Sequence, residues 1–338
     1  LPIFERMQVR VGAKSIEDID SYYTLEKIMN NLTKTTADKE LMGDMYGDHS
    51  DEDAVVGTLQ TNTNTYLKKL YSGVLGNEQY LFPIHRLNTG NALEIELTLA
   101  NNAIAMKKVT GVPTDFSYEI SNVKFQLCLL KVSDAFFNKY NSLANSNELV
   151  LPMTTYRRHI SNIGENQPES VVFVTDNSKN LKRTYTVFRQ NPSTTGTITQ
   201  PNFLKGEADT ANKLLRYQYK YMSRNFPESP VEVTSGNHNV FLANVLTNSK
   251  HSLTERIPAI VGTYERDFML VQDFTYSDDE IINGLNINAS GSPLILELKF
   301  NGTGVATSVE TFTESSIDLV LDSSGNASIV QKTKMGAE

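Results

Sequence analysis

The segment "YQYKYMSRNFPESP" (217–230) places a tyrosine at every second position and then reaches two prolines. Successive side chains of a β-strand point to opposite faces, so Tyr217, Tyr219 and Tyr221 share one face of a predicted strand. Pro227 and Pro230 have no backbone N–H to donate to a sheet. The sequence therefore predicts that the strand stops here and that the chain turns out of the sheet into a connecting loop.

The tyrosine row has two interpretations at this stage. The first is ordinary packing of one face of a strand in the protein core. The second is a contact between subunits, because tyrosine supplies a large contact area at small entropic cost and keeps a polar tip.

A period-two pattern of apolar residues extends along most of the chain. The stretch "ALEIELTL" (92–99) alternates most clearly and predicts a half-buried strand, and "IFERMQVRV" (3–11) predicts another with Met7, Val9 and Val11 on one face. The stretch "ISNVKFQLCLLKV" (120–132) is apolar on both faces and predicts a central strand covered on both sides. Further strands are predicted over 169–174, 183–189, 214–222, 264–274, 293–300 and 317–321.

Helices are few and fall between strands. Apolar residues in "SYYTLEKIMNNL" (21–32) recur at helical spacing, and 237–246 is a second candidate. The regular alternation of strands and helices that marks a parallel sheet is missing. Polar turn dipeptides such as Asn283-Gly284 separate the strands instead. The sequence therefore predicts an all-β protein of antiparallel sandwiches with short helical inserts.

The length of 338 residues favours two domains. A change in composition over 156–168 places the boundary, giving domains 1–155 and 156–338. A jelly roll requires eight strands, and 169–338 supplies enough segments for one. Residues 1–155 supply only about five or six. We therefore predict two jelly rolls in tandem, the first lacking its N-terminal strands in this chain.

Charge and cysteine content exclude several classes of function. The net charge is −8, whereas a protein that binds the nucleic-acid backbone needs a basic surface, so direct nucleic-acid binding is not expected. Cys128 is the only cysteine, so an intrachain disulfide is impossible. Because Cys128 lies in an apolar run, we expect a buried, inert thiol rather than a nucleophile.

One acidic cluster, "GDMYGDHSDED" (43–53), carries oxygen ligands of the kind that divalent metals use. Its spacing is not that of an EF-hand, so a solvated acidic loop is the favoured interpretation. The sequence also contains no paired histidine motif, no nucleophile elbow and no phosphate-binding glycine loop. We therefore predict no catalytic, cofactor-binding or metal-binding residue, no cofactor and no enzymatic activity.

Several segments, taken in order, resemble the double jelly-roll major capsid proteins of the Polinton, Polinton-like virus and virophage group. The first segment carries Gly12, Ile16, Glu17 and Ile19 at the spacing of a strand–turn–helix pattern common in that family. The others contain the "LEIELTL" strand, a closing strand of the first jelly roll, a strand followed by prolines, and late strands of the second jelly roll. The five segments span 4–29, 79–106, 118–136, 217–233 and 271–300.

The resemblance implies a structural role. It predicts a homotrimer that forms a pseudo-hexagonal capsomer of an icosahedral shell, with neighbouring capsomers, penton proteins and minor capsid proteins as partners. The protein would reside in the virion after folding and assembly inside the host cell. A tandem β-sandwich carbohydrate-binding or attachment protein is the alternative, although the absence of tryptophan weighs against it. A β-sandwich hydrolase is a third interpretation, for which no paired catalytic site emerges.

Overall fold

The structure is a computed structural model, described here for residues 3–33, 68–76, 82–87, 92–101, 118–126, 130–146, 149–190, 214–233, 269–275, 284–288, 291–301, 306–322 and 326–331. These residues form three antiparallel sheets and two α-helices, with one short 3₁₀ helix. The mainly β architecture follows from the alternating apolar pattern of the strand segments.

The first sheet has three strands in the order β2-β1-β3. These are β1 (Phe4–Val11), β2 (Lys14–Asp20) and β3 (Leu93–Leu99). Helix α1 (Tyr22–Thr33) follows β2 and buries Leu25 and Ile28 completely. The predicted strands over 3–11 and 92–99 and the predicted helix over 21–32 are therefore confirmed.

A second unit is a sandwich of a four-stranded and a five-stranded sheet. The four-stranded sheet has the order β5-β10-β7-β8, and the five-stranded sheet has the order β12-β11-β6-β9 with β4 paired to β11. Their core is apolar and aromatic, and it is continuous with the buried residues of β1 and α1. The strands are β4 (Leu149–Ile163), β5 (Glu169–Val174), β6 (Leu181–Gln190), β7 (Leu214–Tyr221), β8 (Arg224–Glu232), β9 (Met269–Asp273), β10 (Leu294–Phe300), β11 (Thr307–Leu321) and β12 (Ala327–Gln331).

Strands β4 and β11 form a long ribbon that links the two units. They pair without a break over fifteen residues each, from Thr307 opposite Ile163 to Leu321 opposite Leu149. At one end of the ribbon, Leu151 and Leu319 pack with Val11 of the first sheet in a separate apolar cluster. The chain thus passes position 156 inside a strand, and the division into domains 1–155 and 156–338 stays a prediction.

The chain does not leave the sheet at the two prolines, contrary to the sequence prediction. After Tyr221 it turns and returns as β8, which lies at the end of its sheet. Residues 227–230 bulge out of the ladder between Phe226 and Val231. The Gln218 Nε2 atom donates to the backbone oxygens of Pro227 and Glu228 in this bulge, each at 3.0 Å. Prolines are tolerated at such edge and bulge positions because no ladder N–H is required there.

The predicted central strand over 120–132 is also wrong for the residues that the structure describes. Residues 118–126 and 130–133 have no regular secondary structure, and Val123 and Phe125 are exposed. None of the strands in the described ranges pairs with them. Helix α2 (Asp134–Ser146) follows, and the side chains described in it are exposed. The helix predicted over 237–246 lies outside the described residues.

Candidate functional site: buried polar contacts that join the sheets

The tyrosine row lies inside the sandwich. Tyr217 and Tyr219 are completely buried and Tyr221 is almost so, and Tyr219 lies opposite Leu296 of β10. The ring of Tyr219 packs edge-on against Phe274, with centroids 5.8 Å apart. The core-packing interpretation is therefore confirmed, and the interpretation as a contact between subunits is wrong.

Tyr219 also connects the two sheets of the sandwich by a hydrogen bond. Its hydroxyl lies 2.9 Å from the Thr186 Oγ1 atom on β6, which in turn lies 2.8 Å from the Thr311 Oγ1 atom on β11. Burial raises the pKa of Tyr219, and hydrogen bonds from Thr184 and Thr186 oppose that rise. The polar tip of the tyrosine thus finds partners in the core, as buried tyrosines generally do.

A buried carboxylate, Glu310 on β11, lies between two arginines. Its side chain is almost fully buried, with the Arg189 Nη1 atom 2.5 Å from Oε1 and the Arg158 Nε atom 3.2 Å from Oε2. The arginines come from β6 and β4, the two strands that flank β11 at Glu310. A buried charge is tolerated only when it is paired and hydrogen-bonded in this way.

This charge group reaches the first unit through α1. Arg189 donates a hydrogen bond from Nη1 to the Tyr23 hydroxyl at 2.9 Å, and its guanidinium lies 5.5 Å from the centre of the Tyr23 ring. Burial acts to lower the pKa of Arg189, but the charge of Glu310, the Tyr23 phenol and the hydrogen bonds to both together outweigh burial and raise the pKa. On β1, burial raises the pKa of Glu5, while Arg158 and Arg189 act to lower it. We call Glu5, Tyr23, Arg158, Arg189 and Glu310 the polar seam.

A second buried ion pair lies further along β11. The Arg183 Nη1 atom is 3.2 Å from Glu314 Oε1, and the Tyr185 hydroxyl donates to Glu314 Oε2 at 2.6 Å. Burial acts to lower the pKa of Arg183, but Glu314, Tyr185 and Asp273 together outweigh burial and raise the pKa. Both charged side chains are buried, and they join β6 to β11.

The third polar group surrounds Glu17 on β2, which is only 1% exposed. Ser72 donates its hydroxyl to Glu17 Oε2, and the backbone N–H of Gly73 donates to Oε1 at 3.0 Å. Burial raises the pKa of Glu17 to about 7, and hydrogen bonds from Ser72 and from the backbone of Gly73, Tyr156 and Val74 act to lower it. We call this group the Glu17 cradle.

The geometry of the Glu17 cradle requires glycine at position 73. A Cβ atom at that position would lie 2.1 Å from the backbone oxygen of Thr154 on β4. Only glycine allows backbones to approach so closely. The cradle therefore holds the loop over 68–76 between β2 and the ribbon.

Helix α1 fixes the same loop from its other side. The Lys68 Nζ atom lies 2.8 Å from the Glu26 carboxylate, and the Tyr71 N–H donates to the Tyr22 hydroxyl at 2.6 Å. The Tyr71 hydroxyl donates to Asn30 Oδ1 at 2.7 Å. The first sheet, its helix and the ribbon are thus joined through one short segment.

The residues singled out for metal or thiol chemistry lie outside the described part of the chain. This holds for the acidic cluster over 43–53 and for Cys128. Among the described residues, no group of histidine, cysteine and acidic side chains is arranged to hold a metal ion. Of the helices in that part of the chain, none has the length and apolarity that crossing a bilayer requires.

The sequence matches no protein-family model and no curated protein. Solved structures, in contrast, share its fold. PBCV-1 VP54, fitted into a cryo-EM reconstruction of the virophage Sputnik, has a TM-score of 0.60 at 10% identity, covering 98% of this chain and 84% of that one. The PBCV-1 virus capsid gives 0.57 at 11% identity with the same coverage.

The chain has the fold of viral capsid proteins. The Sputnik virophage structure at 3.5 Å is also similar, with a TM-score of 0.47 and 10% identity over 99% of this chain and 75% of that one. The antiparallel sheets and the fold shared with the two PBCV-1 structures confirm the prediction of an all-β double jelly roll with short helical inserts. The resemblance noted in the sequence segments is confirmed for the fold.

Sequence reasoning missed the buried charges. Glu17, Glu310 and Glu314 are acidic residues that a sequence pattern assigns to a solvated face. The one available signal is in "TSVETFTESS" (307–316), where Glu310 and Glu314 stand four residues apart and therefore share a face of a predicted strand. Their arginine partners lie more than a hundred residues away in the chain, so local patterns do not reveal the pairs.

Proposed function

We propose that this protein is a viral major capsid protein. Its copies form trimers that serve as pseudo-hexagonal capsomers of an icosahedral shell. The observation that carries the proposal is the shared fold with the PBCV-1 capsid, which covers 98% of this chain. As part of this proposal, the protein resides in the virion, has neighbouring capsomers, penton proteins and minor capsid proteins as partners, and assembles inside the host cell.

The interior of the chain supports a structural role. In the polar seam and in the Arg183–Glu314 pair, the buried charged side chains pair with one another. These ion pairs join strands of one sheet, and the hydrogen bond from Arg189 to Tyr23 fixes α1 against them. Such groups hold a defined arrangement of sheets and are not placed at an open cleft for catalysis. A rigid subunit of this kind suits repeated, identical contacts in a closed assembly.

The oligomeric mass tests the proposal directly. We expect sedimentation of the purified chain to give a compact particle of about three times the chain mass of 37.8 kDa. Obligate interfaces of roughly 2,000 Å² or more should keep it intact on dilution. A stable monomer that binds glycans would instead support the carbohydrate-binding alternative, and turnover abolished by replacing one carboxylate would support a hydrolase.

A further inference from the structure

Among the described strands, β5 lies at the edge of its sheet. It pairs with β10 alone, and no strand in the described ranges pairs with its other edge. A free strand edge presents unpaired N–H and C=O groups in the geometry that another extended chain can bind.

The outward face of β5 is apolar as well. Val171 and Phe173 are 50% and 53% exposed, while Val172 and Val174 on the opposite face are buried in the core. Ile295 of β10 lies opposite Phe173 and is half-buried. A strand that is apolar on both faces is typical of a position covered on both sides.

The charges around this apolar face balance one another. The Lys220 Nζ atom lies 2.7 Å from Glu297 Oε1, and the Lys299 Nζ atom lies 3.8 Å from Glu169 Oε1. Two cations and two anions therefore neutralise each other at the rim. Such a surface does not attract a highly charged partner, whereas an apolar centre with a polar rim is typical of a protein–protein interface.

Another part of the chain has the complementary features. Residues 118–126 have no regular secondary structure and pair with no described strand, and Val123 and Phe125 are 74% and 51% exposed. The sequence of 120–132 predicts a strand covered on both faces, yet Val123 and Phe125 are exposed and none of the described strands pairs with their segment. An extended segment with exposed apolar side chains is suited to adding to the strand edge of a second molecule.

We propose that residues 118–126 of one copy add as an antiparallel strand to the free edge of β5 in a neighbouring copy. Every sheet in the described structure is antiparallel, which sets the orientation. Val123 then lies opposite Phe173, and Phe125 lies opposite Val171. Each is an aromatic–β-branched pair, a combination that stabilises neighbouring strands.

The partner is a second copy of this chain because the contact is too small to hold two molecules together alone. Two pairs of side chains bury far less than the roughly 1,200 Å² of a small stable interface. A closed ring of identical copies supplies the remaining contacts, and head-to-tail pairing of two different segments generates such a ring. The inference rests on the proposed function and identifies the surface through which the copies meet.

Cysteine cross-linking between copies tests the proposal. In a Cys128→Ser background, which removes the only native cysteine, one variant carries Val123→Cys and another carries Phe173→Cys. The two are expressed together, oxidised mildly and run on a denaturing gel without reductant. We expect a band at about twice 37.8 kDa that appears only when both variants are present, because opposite residues of paired strands come within disulfide range. As a control, Val330→Cys, at a similarly exposed position on β12, should give no such band with Val123→Cys.

The oligomeric mass of the same samples separates a failure of the strand-addition proposal from a failure of the proposed capsid function. A three-chain particle without the Val123–Phe173 cross-link overturns strand addition and leaves the proposed function standing. An unmutated chain that remains a monomer overturns both. As a second measurement, Phe173→Lys should weaken the trimer at least tenfold while Val330→Lys leaves it unchanged, and equal effects of the two substitutions would contradict the proposal.

Discussion

Replacing Glu17 by glutamine should remove a large pH dependence of stability. In the folded chain the pKa of Glu17 is raised to about 7, against an ordinary value of 4.5. Between these values the carboxyl group ionises in the unfolded chain but stays protonated in the folded one. The contribution of Glu17 to the free energy of unfolding should therefore be highest below pH 4.5, fall as the pH rises to about 7, and then level off.

The size of this effect follows from the two pKa values. A difference of about 2.5 corresponds to about 3 kcal/mol, because each pKa unit is worth about 1.4 kcal/mol. The phenols that face the carboxylate belong to Tyr22 and Tyr156, whose pKa values are raised by burial, so neither ionises in this range. Glutamine stays neutral at every pH and keeps an oxygen for the Gly73 N–H.

Urea unfolding at a series of pH values measures the effect. The free energy of unfolding of the unmutated chain minus that of Glu17→Gln should fall by about 3 kcal/mol between pH 4.5 and 7.5. Glu94→Gln on the exposed face of β3 serves as the matched control and should leave the pH profile unchanged. A difference between the unmutated chain and Glu17→Gln that stays constant over this range would refute the reasoning.

Two further predictions concern contacts inside the sandwich. Tyr219→Phe removes the hydroxyl that reaches Thr186 and should cost about 1 kcal/mol of unfolding free energy. In a double-mutant cycle with Thr186→Val the two effects should not add, and strict additivity would mean that the hydrogen bond contributes nothing. Arg189→Met leaves the buried Glu310 carboxylate with one arginine fewer and should cost about 3 kcal/mol or more. The matched Arg6→Met breaks an exposed pair with Asp18 and should cost about 1 kcal/mol or less, so similar losses in both variants would contradict a special role for the polar seam.

Sequence patterns predicted the strands whose two faces differ in polarity. The alternation of 92–99 and of 214–222 matches the observed β3 and β7, because one face of each strand packs on the core. Strand β4 was missed since its "TTYRRH" stretch (154–159) reads as polar. The structure buries part of that stretch against the acidic residues of other strands, including Glu310.

Other differences between the sequence prediction and the structure arise where contacts with distant parts of the chain determine the local structure. Strand β8 contains two prolines and was predicted as a loop, yet its position at the sheet edge and the bulge over 227–230 make prolines acceptable. The polar seam and the Glu17 cradle depend on contacts between segments far apart in sequence, so no local pattern reveals them. The stretch over 120–132 has the composition of a covered strand, yet Val123 and Phe125 in its described part are exposed.

An electron-microscopy reconstruction of the purified protein tests the central proposal most directly. The account predicts a threefold particle with a pseudo-hexagonal outline, in which each of the three copies contributes two jelly rolls. A particle containing one copy, or an assembly without threefold symmetry, would contradict it.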